Sequence, residues 1–262
     1  MSDTVLLDID DTGLATVTLN RPEVGNALSS EMSSRFREVI VAISADPSVR
    51  AVLLKANGRV FFGGGDLSEF ADKGDGSFGH LADMTIDFHA GISRMTKMDP
   101  PVVAAVTGAA GGAGMSLVAA CDLVVAGAGS KFTMGYTRAG LTPDGSSTFF
   151  LARVVGLRRA MDLTLTNRLR SADEAEAWGL INRVAPDDEV VAQAEKLARQ
   201  LAAGPTRTLG EAKRLLYEGA TRGLEAAMEQ ESLSIARASL SADAKEGMAA
   251  FIEKRAPDFN GN

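Results

Sequence analysis

The chain has 262 residues, of which 45% are hydrophobic and 23% charged, and this composition is typical of a folded globular protein rather than a disordered one. Its 34 acidic side chains outnumber its 27 basic ones, and the net charge of −7 disfavours binding to nucleic acid or to anionic lipid. One cysteine and two histidines exclude an internal disulfide and a cysteine- or histidine-rich metal site.

The first part of the chain predicts strands mixed with helices. Residues 1–10 lack the basic and apolar segments of a secretory signal, so we expect a cytoplasmic protein. Ser29 and Ser30 are placed to cap a helix whose apolar residues recur at helical spacing. Two paired strands, this helix and a further strand are predicted at residues 5–9, 14–19, 32–43 and 51–54.

The middle of the chain is rich in glycine. The polar stretch 73–79 predicts a mobile surface loop, and residues 81–98 predict a helix that ends before two prolines. Residues 100–121 carry no charge, but their prolines and glycines favour a buried strand, a glycine turn and a short helix over a membrane span. We therefore expect no membrane partner.

The last third of the chain is predominantly helical in pattern. Residues 123–125 predict one more strand before this region, and within it strand signals are confined to residues 180–184. Helices are predicted at residues 190–201, 206–217, 224–240 and 244–252. Such an apolar helical end is expected either to pack on another subunit or to cover the protein's own core.

Two glycine-rich turns are the remaining chemical signal, because the motifs of phosphate loops, dinucleotide sites, serine hydrolases and zinc proteases are absent from the sequence. The turns lie at residues 61–67 and 108–114, and each follows a strand and opens a helix. Free N–H groups at such turns favour negative charge, so together they could form an oxyanion hole. Tight turns alone would explain them equally well.

The order and spacing of several short motifs are specific to one family. On these motifs the chain resembles the crotonase, or enoyl-CoA hydratase/isomerase, superfamily over essentially its whole length. The motifs are Leu19-Asn20-Arg21-Pro22 with Asn26-Ala27-Leu28, residues 61–67, residues 101–108, residues 111–122, Trp178-Gly179-Leu180-Ile181 and residues 251–255.

The resemblance implies an α/β fold with a ββα spiral core and a C-terminal helical trimerisation region. The core with its acyl-CoA site would occupy residues 1–203, and the oligomerisation region residues 204–262. The implied assembly is a homotrimer or a hexamer built as a dimer of trimers. Coenzyme A is implied only as part of the thioester substrate, with no permanently bound cofactor and no metal.

The resemblance also assigns site residues. The backbone N–H groups of Gly65 and Ala113 would be the oxyanion-hole donors. Phe251 and Lys254 would reach a neighbouring subunit's ligand. The positions implied to face coenzyme A are Ala27, Leu28, Gly63, Gly64, Asp66 and Leu67, and the cations suited to its phosphates are Arg59, Lys131 and Lys254.

The two glutamates of hydratases in this family are replaced. By position they correspond to Ser116 and Tyr136, so two-carboxylate hydration loses both acid/base groups. One carboxylate is near: Asp144 in Gly140-Leu-Thr-Pro-Asp-Gly145. It could merely terminate a turn or cap the following helix, but two branches of the family, the epoxyphenylacetyl-CoA isomerases and the 4-chlorobenzoyl-CoA dehalogenases, place a catalytic aspartate there.

Three functions remain open on this basis. Asp144 could be the single base of an enoyl-CoA isomerase, which is the preferred interpretation. It could instead be the nucleophile of an aromatic acyl-CoA dehalogenase or hydrolase, with His89 activating water, although a single helical histidine is more often a packed or surface residue. A third alternative is an acyl-CoA-binding paralogue without activity. The other histidine, His80, is expected to be exposed.

Overall fold

The strands form two sheets in the computed structural model, which describes residues 3–262. The larger sheet has the order β1-β2-β3-β4-β6-β9; only β1 and β2 are antiparallel. Its strands are β1 (Val5–Ile9), β2 (Leu14–Leu19), β3 (Ala51–Ala56), β4 (Val102–Val106), β6 (Leu123–Gly127) and β9 (Arg183–Ala185). The smaller sheet contains β5 (Ala109–Gly111), β7 (Lys131–Thr133) and β8 (Arg170–Ser171), in that order.

Helices cover both faces of the larger sheet. They are α1 (Ser30–Ala45), α2 (Leu67–Asp72), α3 (Ser77–Lys97), α4 (Ala113–Ala120), α5 (Ser147–Val155), α6 (Leu157–Thr166), α7 (Ala172–Ala177), α8 (Val190–Ala202), α9 (Thr206–Gly219), α10 (Leu224–Ala238) and α11 (Ala242–Glu253). The first of them begins where Ser29 Oγ accepts the Met32 N–H at 3.2 Å, as the sequence predicted.

The central strands read as continuous apolar runs because both of their faces are buried. All five residues of β4 are buried. Val103 and Ala105 pack with the apolar stripe of α8 on one face. Ala104 and Val106 join the main core with α1 and α3 on the other face. Parallel strands in this layered arrangement bring their carboxyl ends to one edge, which is where the glycine turns follow.

Two expectations about element bounds are wrong. Residues 73–79 are not a loop throughout, since a 3-10 turn at Gly74–Gly76 leads directly into α3 at Ser77. Ser77 Oγ donates to the Gly74 carbonyl at 2.5 Å, so the polar glycine stretch continues from the 3-10 turn into the first residues of a long helix. The last strand is shorter and later than residues 180–184, because on that side of β6 the pairing is made by Arg183, Val184 and Ala185 of β9.

Helix α9 is attached to the core through buried polar contacts. Lys213 of α9 donates to Asp122 Oδ2 and to the Met95 carbonyl, each at 3.0 Å. Burial raises the pKa of the Asp122 carboxyl, and the charge of Lys213 acts against that rise. Among the described residues, no helix combines the length and the apolar composition that crossing a bilayer requires.

Replacing Lys213 with Ala would leave the buried Asp122 carboxylate without its cation. We expect the free energy of unfolding to fall by about 3–5 kcal/mol, as measured by urea denaturation. The control is Arg222→Ala, which removes an exposed pair with Glu218 and should change stability little. A Lys213→Ala protein as stable as this control would contradict the role given to the buried pair.

Candidate active site

The two glycine turns meet backbone to backbone. Gly64 has φ of +113° and Gly112 has φ of +50°, both in the region that favours glycine. A Cβ atom on Gly112 would lie 3.2 Å from the Gly64 Cα, and one on Gly64 would lie 3.3 Å from the Gly111 carbonyl oxygen. Side chains at these positions would separate the turns, so the glycines allow the close approach.

Backbone hydrogen bonds hold the two glycine turns in this arrangement. The Phe62 N–H donates to the Ala109 carbonyl at 3.1 Å, and the Gly111 N–H donates to the Phe62 carbonyl at 2.9 Å. On the other side, the Leu28 N–H donates to the Gly64 carbonyl at 2.7 Å. The turn at residues 62–65 is therefore fixed between β5 and the segment that precedes α1.

A cavity of about 400 Å³ lies at this junction, and two backbone donors, the N–H groups of Gly65 and Ala113, border it. Within the described residues, neither N–H donates a backbone hydrogen bond. Ala113 is the first residue of α4, where an N–H has no partner inside the helix. Both residues of the predicted pair therefore lie in the wall of one cavity, where their N–H groups are available to an anionic oxygen.

Apolar side chains form most of the remaining wall. They come from the segment before α1, from α2 and from the first turns of α3: Leu28, Leu67, Phe70, Phe78, Leu81 and Met84. Of these residues, Leu28 and Leu67 were predicted from the sequence, whereas Phe70, Phe78, Leu81 and Met84 were not. Their helical spacing was visible, but it could equally have marked a core-facing stripe.

Asp144 is the one carboxylate among the described residues that line the cavity. Its Oδ1 accepts a hydrogen bond from the Tyr136 hydroxyl at 2.5 Å. Its main-chain carbonyl accepts from Ser116 Oγ at 3.0 Å and from Ser147 Oγ at 2.9 Å. The residue before α5 is Ser146, and no side-chain hydrogen bond caps that helix, so the side chain of Asp144 is not a helix cap.

The residue after Asp144 must be a glycine. Gly145 has φ of +60°, and a Cβ atom there would lie 2.9 Å from both the Phe88 ring and the Ser116 Cβ. The Pro143-Asp144-Gly145 turn is thus pressed against α3 and α4. This contact aims the Asp144 side chain at the cavity.

Ser116 and Tyr136, which the sequence aligned with the hydratase glutamates, lie next to each other. Their hydroxyl oxygens are 2.9 Å apart. Ser116 is fully buried on α4, and Tyr136 follows β7. Burial, together with the negative charge of Asp144, raises the pKa of Tyr136, so its phenol stays protonated.

His89 lies beside Asp144, and its imidazole is hydrogen-bonded to the main chain of the following residue. Its Nε2 accepts the Gly145 N–H at 2.9 Å, so this nitrogen carries no proton. The same atom is 3.8 Å from Asp144 Oδ2, which is too long for a hydrogen bond. The side chain is 48% exposed, and His89 is not among the described residues lining the cavity.

The other predicted contact residues divide into two groups. Gly63, Gly64, Leu28 and Leu67 border the cavity, whereas Ala27 and Asp66 do not. Asp66 caps α2 by accepting the Glu69 N–H at 3.3 Å and pairs with Arg21 at 3.0 Å. Its polar atoms are therefore committed to the local structure.

Within one chain, the C-terminal candidates lie away from this cavity. Phe251 borders a separate apolar groove among the C-terminal helices and is 85% exposed. Lys254 ends α11 in the left-handed conformation. Neither they nor the proposed phosphate ligands Arg59 and Lys131 are among the described residues that line the site cavity.

The expectation that His80 is exposed is wrong. Its Nε2 lies 3.1 Å from Glu69 Oε1, and 14% of its side chain is exposed. The ring also packs edge-on against Phe70. These contacts connect α2 to α3 across the loop between them, which the sequence pattern had treated as mobile.

The comparisons with known proteins agree with this fold. The enoyl-CoA hydratase/isomerase family model matches residues 10–262. The chain is 37% identical over 251 residues to 1,2-epoxyphenylacetyl-CoA isomerase of Escherichia coli strain K12, covering 95% of each. Over 221 residues it is 37% identical to 4-chlorobenzoyl coenzyme A dehalogenase-2 of an Arthrobacter species, covering 84% of this chain and 80% of that one.

A solved structure gives the same result. The enoyl-CoA hydratase from Polaromonas sp. JS666 superposes with a TM-score of 0.93 at 32% identity, covering 98% of this chain and 99% of that one. The chain therefore belongs to the enoyl-CoA hydratase/isomerase family, and the α/β crotonase-like fold predicted from the sequence is confirmed.

Gly65 leaves space that the Phe70 ring occupies, since a Cβ atom on Gly65 would lie 2.6 Å from the ring. We expect Gly65→Ala to displace the ring and to lower the free energy of unfolding by about 1–3 kcal/mol. Urea denaturation measures the change, and adding Phe70→Leu should restore part of it.

Gly79→Ala is the matched control, because a Cβ atom there meets nothing within 4 Å. This substitution in the first turns of α3 should be neutral or slightly stabilising. Equal stability of the Gly65→Ala and Gly79→Ala proteins would show that the ring moves aside without cost.

Proposed function

We propose that the protein moves the double bond of an enoyl-CoA thioester, with Asp144 as its single base. The observation that supports this function is the placement of one carboxylate in an apolar cavity beside two free backbone N–H groups. A thioester carbonyl placed against Gly65 and Ala113 would bring its carbon chain along the apolar wall. Coenzyme A enters only as part of the substrate.

The reaction needs two proton transfers and one anionic intermediate. An oxygen of Asp144 removes a proton from C2 of a 3-enoyl thioester, and the C–H electron pair delocalises toward the carbonyl. The N–H groups of Gly65 and Ala113 stabilise the resulting dienolate oxygen. Asp144 then returns the proton to C4, which gives the conjugated 2-enoyl thioester without any other reactant.

Hydration by two carboxylates has no support in this cavity. The positions that correspond to the hydratase glutamates hold Ser116 and Tyr136. Neither is ionised, since the pKa of Tyr136 is raised and a serine hydroxyl does not titrate in this range. A hydratase would need one group to orient water and another to deliver a proton, whereas isomerisation needs one base that works twice.

Dehalogenation or hydrolysis of an aromatic acyl-CoA is the second candidate. The proximity of His89 Nε2 to Asp144 Oδ2, at 3.8 Å, favours it. That mechanism requires a histidine nitrogen with a free lone pair to take a proton from water. Since the Gly145 N–H occupies the nitrogen nearest Asp144, the isomerase is the better supported function.

The proposal includes assembly into a homotrimer or a dimer of trimers. Its support is the exposed apolar surface of the C-terminal helices, where Leu216, Ile235, Phe251 and Ile252 are each more than 70% exposed. A patch of this kind is typical of an interface between subunits. Phe251 and Lys254 would then approach the ligand of a neighbouring subunit, which would explain their distance from the cavity of their own chain.

Asp144→Asn tests the function directly. A medium-chain 3-enoyl-CoA is supplied to both proteins, and the ultraviolet absorbance of the conjugated 2-enoyl thioester is followed. We expect kcat to fall about 10²- to 10⁴-fold, because the amide cannot accept the proton. Dissociation constants for the saturated acyl-CoA should agree within about threefold, since the shape of the side chain is kept.

Two results would contradict this function. A wild-type protein that binds the acyl-CoA tightly and forms no conjugated product would favour the inactive paralogue. An Asp144→Asn protein with wild-type kcat would show that another group is the base.

His89→Gln separates the two enzymatic candidates. The glutamine carbonyl can still accept the Gly145 N–H, so the loop keeps its support. We expect the isomerase kcat to stay within about threefold of wild type, because His89 takes no part in that proton transfer. With 4-chlorobenzoyl-CoA as substrate, mass spectrometry showing an aryl adduct on Asp144 in this variant would instead establish the dehalogenase.

A further inference from the structure

Tyr136 contacts the proposed base but has no part in the proton transfers described above. Its ring borders the cavity. Its hydroxyl oxygen lies 2.5 Å from Asp144 Oδ1 and 2.9 Å from Ser116 Oγ. A phenol and a serine hydroxyl each carry one proton, so the donors in this group can be counted.

The proton count gives each contact a direction. An ionised Asp144 carboxylate can only accept, so the short contact at Oδ1 uses the proton of Tyr136. Ser116 then donates to the Tyr136 oxygen, to the Asp144 carbonyl at 3.0 Å or to the Gly112 carbonyl at 3.3 Å. The first two choices support the same arrangement, since one secures the phenol and the other secures the main chain of the base.

The Tyr136 phenol is suited to act as a permanent donor. Because burial and the nearby carboxylate raise its pKa, it remains neutral at any pH at which the protein would work. It therefore cannot replace the missing glutamate as a base. Its hydrogen bond to a charged acceptor is of the stronger class.

We propose that Tyr136 is a positioning residue that holds Oδ1 of Asp144 and leaves Oδ2 as the oxygen that carries the substrate proton. This inference rests on the proposed isomerase function. When Oδ2 takes the proton from C2, Oδ1 remains an acceptor, so the hydrogen bond from Tyr136 persists. The carboxyl group need not rotate before it returns the proton to C4.

A held carboxyl group should also retain its proton better than a mobile one. Rotation would expose the O–H to water and allow exchange with solvent before the second transfer. In D2O, the wild-type protein is therefore expected to move much of the original hydrogen from C2 to C4. Loss of the Tyr136 hydroxyl should increase the deuterium found at C4 of the product.

The test compares Tyr136→Phe with wild type on a medium-chain 3-enoyl-CoA in D2O. We expect kcat to fall about 10- to 100-fold, the range for a lost hydrogen bond to a charged group. KM should stay within about twofold, because the ring that borders the cavity is kept. Mass spectrometry of the product should show a higher deuterium fraction at C4.

Tyr217→Phe is the matched control. Tyr217 is the other of the two tyrosines in the chain. Its partly buried hydroxyl also contacts a carboxylate, Asp122 Oδ1 at 3.4 Å, and Tyr217 is not among the described residues lining the cavity. This variant should keep the wild-type kcat and deuterium content, which separates a positioning effect from the general loss of a buried phenol.

Proton NMR tests the hydrogen bond between Tyr136 and Asp144 without any substrate turnover. The proton in a hydrogen bond as short as that between Tyr136 and Asp144 should resonate far downfield in the proton NMR spectrum. The signal should disappear in Tyr136→Phe and persist in Tyr217→Phe.

The outcomes are distinct. If the wild-type protein forms no conjugated product, the proposed function fails, and the resonance alone then decides whether Tyr136 holds Asp144. An active Tyr136→Phe protein with unchanged kcat and deuterium content overturns the inference while leaving the function intact. A downfield signal that survives in Tyr136→Phe also overturns it.

Discussion

The contact between two glycine turns is the constraint on which the rest of the site depends. With Gly112 and Gly64 in direct backbone contact, the N–H groups of Gly65 and Ala113 come to the wall of one cavity. No side chain takes part in this arrangement, so it has no rotamer freedom to lose when a ligand binds. The parallel strands make the contact possible, because they deliver both turns to the same edge of the sheet.

The cavity combines this fixed polar junction with a wall of apolar side chains. Its apolar side chains come from α2 and the start of α3, which are connected through His80 and Glu69. One part of the site is therefore built by backbone geometry, and the other by side-chain packing. The first suits a carbonyl oxygen common to all thioesters, whereas the second can vary with the acyl chain.

With a single carboxylate available, the precision of the site depends on the neighbours of Asp144. The turn that bears it is held by Ser116, Ser147 and the packing of Gly145, and the carboxyl group itself is held by Tyr136. His89 contributes by accepting the Gly145 N–H. Ser116 and Tyr136 therefore both act as supports for Asp144.

Local patterns determined much of this protein. The bounds of β1 and β2, the Ser29 cap and both glycine turns follow from alternation, glycine placement and capping chemistry, which act over a few residues. Family motifs located Gly65, Ala113 and Asp144. Only the tertiary structure decided that Tyr136 donates to Asp144, that His89 accepts from Gly145 and that His80 pairs with Glu69. Each of these contacts depends on where side chains from separate elements or loops point after packing, and sequence spacing does not encode that direction.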